Sequence, residues 1–235
     1  MREIEAKKVY IFSPGLRIWH WVNFLTIITL FITGLYIGNP FFLGPVGVEA
    51  TYAYKEGITM DFIRKIHFIA GYVLLASFIF RVIISLFNKR DRLLFPAIWR
   101  RDYWMGLKEI TLKYIFVMKE GEGQEYVRNA CARTVYPLVY LAIFVMIATG
   151  FAMYGMSSPG SFWSSLLGWI LGFLGGEFMV HMWHHWLAWL IIVFAVLHVY
   201  LVIREEALKK NGELSSMFSG YKVFEKEPVD LKDVE

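Results

Sequence analysis

Four apolar runs, each about as long as a bilayer is thick, constrain this chain more than any other feature. They extend from about Ile18 to Gly38, Ile63 to Asn88, Thr134 to Tyr154 and Val180 to Ile203. Roughly 20 apolar residues in a helix cross the hydrocarbon layer. Lipid offers the backbone no water to bond, so each run must be helical. Only 19% of the residues are charged and the mean hydropathy is +0.48, whereas a soluble domain carries about a quarter charged residues. The expected fold is therefore an all-α integral membrane protein, a four-helix transmembrane bundle. A further apolar stretch, Ser161–Leu174, is short and interrupted by serines and glycines. It reads as an interfacial helix or re-entrant segment, with a fifth span as the alternative. The polar first residues and the length of the first run predict no cleavable leader.

Basic residues orient the spans. Four Lys or Arg precede Ile18, ten lie in the stretch Lys89–Arg133 and six follow from Arg204, against three (Lys55, Arg64 and Lys65) between spans one and two and none between spans three and four. The positive-inside rule places both termini and the central loop in the cytoplasm. Within that loop Trp104, Leu107, Ile110, Tyr114, Ile115 and Met118 recur at helical spacing, with Lys108, Glu109 and Lys113 opposite. That pattern predicts a cytoplasmic amphipathic segment between helices two and three, lying on the membrane surface. Residues 1–205 read as the transmembrane domain and 206–235 as a polar cytoplasmic tail, ordered in part at most.

All six histidines, His20, His67, His181, His184, His185 and His198, lie in or at the ends of the spans. An ionisable side chain at membrane depth is costly and points to function. His184 and His198 are 14 residues apart. That is ~21 Å along the axis and ~40° short of four full turns, so both face one direction at opposite ends of the layer. His185 and His181 give offsets of ~140° and ~100° from His198, so His184 is the better partner. His67 opens span two on the outer side and His20 opens span one on the cytoplasmic side. Two pairs result: His67 with His184 outside, and His20 with His198 inside. Each pair can hold the iron of a haem b from both faces. Two haems stacked across the membrane make a path for electrons, and bis-imidazole ligation favours electron transfer over oxygen chemistry.

Other residues fit the same levels. Gly34 lies 14 after His20 and Arg81 lies 14 after His67. Gly34 and Gly71 offer room for a flat macrocycle, or close helix packing. Arg81 is placed to pair with a haem propionate or a quinone oxygen. Arg17, Arg64 and Arg204 stand near the span ends, at propionate depth or as snorkelling anchors. Trp19, Trp21, Trp183, Trp186 and Trp189 flank the histidines as interfacial aromatics or as haem neighbours. No catalytic residue is expected.

Competing chemistry is weaker. The segment His181-Met-Trp-His184-His185 has the H-x-x-H-H form of a histidine box in membrane di-iron desaturases and hydroxylases. Those enzymes need several such boxes on the cytoplasmic side, and here one lies outside. Glu177 is the nearest further ligand for a zinc reading. Internal inverted repeats of the transporter kind are not visible. The single cysteine, Cys131, excludes a four-thiolate iron–sulfur cluster and a C-x-x-C-H haem attachment within the chain.

Three segments carry a resemblance: Arg17-Ile-Trp-His20-Trp21, Ile63-Arg64-Lys65-Ile66-His67-Phe68, and His181 to Tyr200 ending in His198-Val-Tyr200, with Ser216-Met-Phe-Ser-Gly220-Tyr221 in the tail. Over nearly its whole length the chain resembles the b-type cytochrome subunit of membrane-bound uptake [NiFe]-hydrogenases. The cytochrome subunits of formate dehydrogenase and thiosulfate reductase are similar in plan and supply the alternative. The resemblance implies hydrogenase small and large subunits on the outer face, whose iron–sulfur chain feeds the outer haem, and membrane quinone as acceptor beyond the inner one. The loops Asn39–Asp61 and Gly155–Phe178 would be the docking surface. The expected setting is a multi-pass protein of the cell's cytoplasmic membrane, with lipid bilayer and no nucleic acid among its partners.

Overall fold

The computed structural model describes residues 7–38, 60–88, 91, 96, 98–114 and 125–231. The elements run β1 (Lys7–Tyr10), α1 (Pro14–Gly38), α2 (Met60–Phe87), α3 (Arg101–Tyr114), α4 (Ala130–Met156), α5 (Phe162–Leu167), α6 (Trp169–Phe173), α7 (Glu177–Lys209), α8 (Ser216–Ser219) and β2 (Tyr221–Phe224). Among the described residues, four helices (α1, α2, α4 and α7, of 25, 28, 27 and 33 residues) are long and apolar enough to cross a membrane. Each begins before its apolar run, and α4 and α7 also continue past it, since a helix needs apolar side chains only where lipid surrounds it. At the start of α1 the Leu16 amide donates to Ser13 Oγ at 3.1 Å. Pro14 follows, at the position where a missing N–H costs nothing.

The long helices are apolar outside and partly polar inside. Along α1 the buried residues are Leu16, Asn23, Thr26, Thr33 and Tyr36, while Ile18, Leu25 and Ile32 are more than 60% exposed. A soluble helix would show the reverse. With lipid as the solvent, apolar side chains lose nothing by facing out, and polar ones find partners only within the protein.

Residues group into two compact units, to both of which the long helices contribute. One comprises Trp19–Phe80 and Ile147–Ala188. In it Asn23 Nδ2 of α1 donates to Ser77 Oγ of α2, both buried. Phe68 and Tyr72 of α2 stand edge-on to Tyr154 and Phe151 of α4. The short helices α5 and α6 are too short to span. Trp163 stacks on Phe151 with ring centroids 4.0 Å apart and donates to the Tyr72 hydroxyl at 2.7 Å. Ile170 of α6 packs with Ala152 of α4 and Val180 of α7. The stretch after Ser161 is thus a packed pair of helical turns and not a fifth span.

The other unit comprises Met1–Ile18, Arg81–Met146 and Trp189–Glu235. Here β1 pairs antiparallel with β2, Lys7 opposite Phe224 and Tyr10 opposite Tyr221. Ile11, Val127 and Leu231 form a buried cluster. Asp230 accepts from the Val127 amide at 2.6 Å and from the Arg128 amide at 3.4 Å. The tail is therefore ordered through Leu231, contrary to the expectation from its polarity. Its partners lie 100 to 220 residues away in sequence, where local composition carries no trace of them. Gly220 makes the turn into β2 with φ 85°, and a Cβ there would lie 2.6 Å from the Tyr10 ring. The α3 helix places Tyr103 and Leu107 against Ala130 and leaves Trp104 exposed. Lys113, expected on its polar face, is buried. Ile115 and Met118 lie outside the described residues, as do residues 39–59 of the first expected docking loop.

Candidate functional site

Two histidines in the first unit are held by matching devices. On α2, His67 Nδ1 lies 2.8 Å from Thr33 Oγ1 of α1. On α7, His184 Nδ1 lies 2.9 Å from Thr149 Oγ1 of α4. The next residue in each case is a glycine facing the same ring. A Cβ at Gly34 would sit 3.4 Å from His67 Cε1, and one at Gly150 would sit 3.2 Å from His184 Cε1. The glycines thus let each helix approach an imidazole edge. The sequence contains two Thr-Gly dipeptides, and each precedes its histidine by nearly the same length, 34 and 35 residues from threonine to histidine. Two helix hairpins therefore present equivalent histidines, each with Nδ1 engaged.

The neighbouring histidines diverge. His184 is partly buried, while His181 and His185 are exposed, and His181 Nε2 lies 3.9 Å from exposed Glu177. Among the described residues no three His, Cys, Asp or Glu side chains gather as a metal would require. Of the H-x-x-H-H segment, His184 is the histidine turned toward another helix, beside Thr149 of α4. Trp183, Trp186 and Trp189 are exposed too, as interfacial aromatics are.

In the second unit His198 stacks on Phe194, with centroids 5.7 Å apart, and meets Tyr136 edge-on at 6.4 Å. Arg81, 2% exposed, donates from Nε to the Tyr140 hydroxyl at 3.2 Å and from Nη2 to the Asp91 carbonyl at 2.8 Å. The buried Asp91 carboxylate accepts from Ser13 Oγ at 2.8 Å. Arg128 is a further buried cation beside Asp91, Tyr136 and Tyr140. Burial pulls its guanidinium down to about 10, so it stays charged at neutral pH.

The remaining expected residues fall in varied settings. His20 lies partly buried on α1 with Trp21 edge-on at 5.2 Å. Arg17 donates to the Phe218 carbonyl, joining α1 to the Ser216–Tyr221 motif. Arg64 is exposed and lines, with Lys65, Phe68, Tyr72 and Tyr154, an open groove of about 400 Å³. Arg204 lies 3.5 Å from Glu205. A Cβ at Gly71 would meet nothing within 4 Å, so space is open beside His67's next turn. Sequence reasoning missed Thr33, Thr149 and Gly150; their signal is the repeated Thr-Gly dipeptide ahead of a span-opening histidine.

Four membrane-length helices, with His67 and His184 each held at Nδ1 by a threonine hydroxyl of another helix, define the class: a multi-pass membrane protein with paired buried histidines. The family model described as prokaryotic cytochrome b561 matches residues 11–220. The chain is similar to the probable Ni/Fe-hydrogenase B-type cytochrome subunit of Cupriavidus necator, at 34% identity over 223 residues covering 93% of this chain and 88% of that one. It is similar also to the corresponding protein of Azotobacter vinelandii, at 33% over 234 residues (94% and 91%). The probable Ni/Fe-hydrogenase 1 B-type cytochrome subunit of Escherichia coli K12 is 33% identical over 219 residues (91% and 90%). The chain belongs to the prokaryotic cytochrome b561 family, among the Ni/Fe-hydrogenase B-type cytochrome subunits.

Proposed function

We propose that the protein binds two haems b and carries electrons from a [NiFe]-hydrogenase on the outer face to membrane quinone. The observation that carries this reading is the matched pair of devices at His67 and His184. Each ring is bonded at Nδ1 by a buried threonine, which leaves Nε2 as the ligating nitrogen, and each faces a glycine that keeps the ring edge clear. This donor set suits an iron held by two imidazoles. A haem so ligated supplies one-electron transfer and no open iron position.

His67 and His184 would hold the outer haem. His20 and His198 would hold the cytoplasmic one, an assignment that rests on their 14-residue spacing from Gly34 and His184. Gly34 and Gly71 would clear space at the outer level. Arg17, Arg81 and Arg204 would meet propionates or a quinone oxygen on the cytoplasmic side, beside the partners they already hold, and Arg64 would do so at the outer end. The excess of Lys and Arg in the tails and the central loop supports cytoplasmic termini and a cytoplasmic α3. The hydrogenase small and large subunits would then dock on the opposite face. The relatives' names specify Ni/Fe-hydrogenase, which favours that donor over a formate dehydrogenase. With one cysteine in the chain, the iron–sulfur clusters belong to the partner.

The test uses the complex in detergent. Hydrogen should reduce its haem optically, and an added quinone analogue should reoxidise it. His198→Ala should stop quinone reduction while dye-linked hydrogen oxidation continues. Unchanged quinone reduction in that variant would overturn the reading.

A further inference from the structure

We infer that Thr33 and Thr149 are a matched pair of positioning residues that set the tautomer of His67 and His184 and hold down the reduction potential of the outer haem. The inference rests on the bis-histidine reading above and deepens it.

The hydrogen-bond direction at Thr33 is fixed by its own backbone. Its hydroxyl donates to the Thr29 carbonyl at 2.7 Å, the usual i−4 bond of a helical threonine. A hydroxyl has one proton to give. Having given it to Thr29, Oγ1 faces His67 with a lone pair, so the imidazole must donate. The Leu30 carbonyl lies beside the same hydroxyl at 3.2 Å, a second backbone acceptor for its one proton. The contact between Thr33 and His67, at 2.8 Å, places the ring proton on Nδ1. Nε2 then carries the lone pair that an iron requires. Thr149 Oγ1 lies 2.9 Å from His184 Nδ1, one residue before a glycine that faces the ring, and we assign it the same direction by analogy with Thr33. Thr33 and Thr149 are buried, so water does not compete for either bond.

The chemistry of the acceptor matters as much as its position. A partner that accepts from the ring N–H makes the other nitrogen more basic. A more basic ligand stabilises ferric over ferrous iron and lowers the potential. A carboxylate would do this more strongly, but a second buried charge at membrane depth is costly. A hydroxyl is the neutral acceptor that this environment tolerates. Gly150 serves the same bond, because a Cβ there would press on the His184 ring at 3.2 Å, while at Gly34 a Cβ would only reach ordinary contact with His67 at 3.4 Å.

The experiment is redox titration of the whole complex, with low-temperature electron paramagnetic resonance of the oxidised haems. The outer component is identified as the one that His184→Ala abolishes. Thr33→Val and Thr149→Val keep the shape and remove the acceptor. Each should raise the midpoint of the outer component and shift its low-spin signal, leaving the inner component unmoved, and haem affinity should fall about 10–100-fold. Thr33→Ser and Thr149→Ser keep the hydroxyl and should restore the wild-type values. If the valine variants fail to accumulate, Thr33→Ala against Thr33→Ser gives the same comparison. An outer midpoint and signal unchanged in the valine or alanine variants, or changed equally by serine, would overturn the inference while leaving the haem reading intact. A wild-type complex without protohaem would overturn the haem reading itself.

Discussion

The helices around His67 and His184 and the segments around Ile11, Val127 and Leu231 are ordered by different means. In the first region the contacts that matter join helices: threonine to histidine, asparagine to serine, glycine to imidazole edge. The surrounding apolar side chains face outward and contribute little to specificity. In the second region an N-terminal strand, the stretch before α4 and the C-terminal tail meet through a short β ladder, one apolar cluster and the carboxylate of Asp230. That is how a water-facing structure is built, with apolar residues inside. The comparison teaches that one chain here solves two solvents. Polar groups give uniqueness where lipid is the solvent, and apolar burial gives it where water is. Substitutions should therefore do damage by opposite rules in the two regions.

The largest effect expected is at the histidines. His184→Ala should remove one haem, whereas His181→Ala and His185→Ala, whose rings are exposed, should remove none; optical spectra of the three purified variants read this directly. Next come the ring-facing glycines. Gly150→Val should perturb haem binding more than Gly34→Val, because the Cβ contact is 3.2 Å against 3.4 Å, with an overpacking cost of about 1–3 kcal/mol. Equal effects at the two positions would break the claimed packing. In the second region, Gly220→Ala forces a side chain onto φ 85° and against Tyr10, a strain on the order of 1–3 kcal/mol. Hydrogen exchange of β1 should accelerate while the haem spectrum stays unchanged.

Asp230 gives a smaller, pH-dependent effect. Burial pushes its carboxyl above the ordinary carboxylate range, against the opposing pull of the Val127 and Arg128 amides. A folded-state pKa raised above the unfolded one means that protonation favours the folded form. The contribution is complete below the unfolded value and is lost as pH rises through the folded one. Protection of the Val127 amide should therefore increase as pH falls through the carboxylate range, and Asp230→Asn should flatten that dependence. The smallest effect is expected at Lys7, whose 3.4 Å pair with Glu227 is exposed on both sides; Lys7→Ala should change stability by about 0–1 kcal/mol.

The same contrast governs what can be read from the sequence. The four spans and the preference for His184 over His181 and His185 follow from run length and helical angle, which are local and periodic. Thr33 and Thr149 escape such reading because threonine has an ordinary use in membrane helices, bonding the carbonyl four residues back, as Thr26 and Thr29 do. Only the fold places a histidine of another helix on the free lone pair. Arg81 is legible as a buried cation, but its bonds to Tyr140 and Asp91 are not. The order of the tail is hidden for a third reason. Asp230 is 103 residues from Val127, and nothing near it in sequence distinguishes it from a solvated acid.

Haem stoichiometry tests the central claim most directly. Protohaem and protein should be quantified in the purified wild-type complex and in its His67→Ala and His184→Ala forms. Two protohaems per chain in the wild type and one in each variant is the result expected of an outer pair shared between α2 and α7. No protohaem in the wild type, or two retained in either variant, would contradict it.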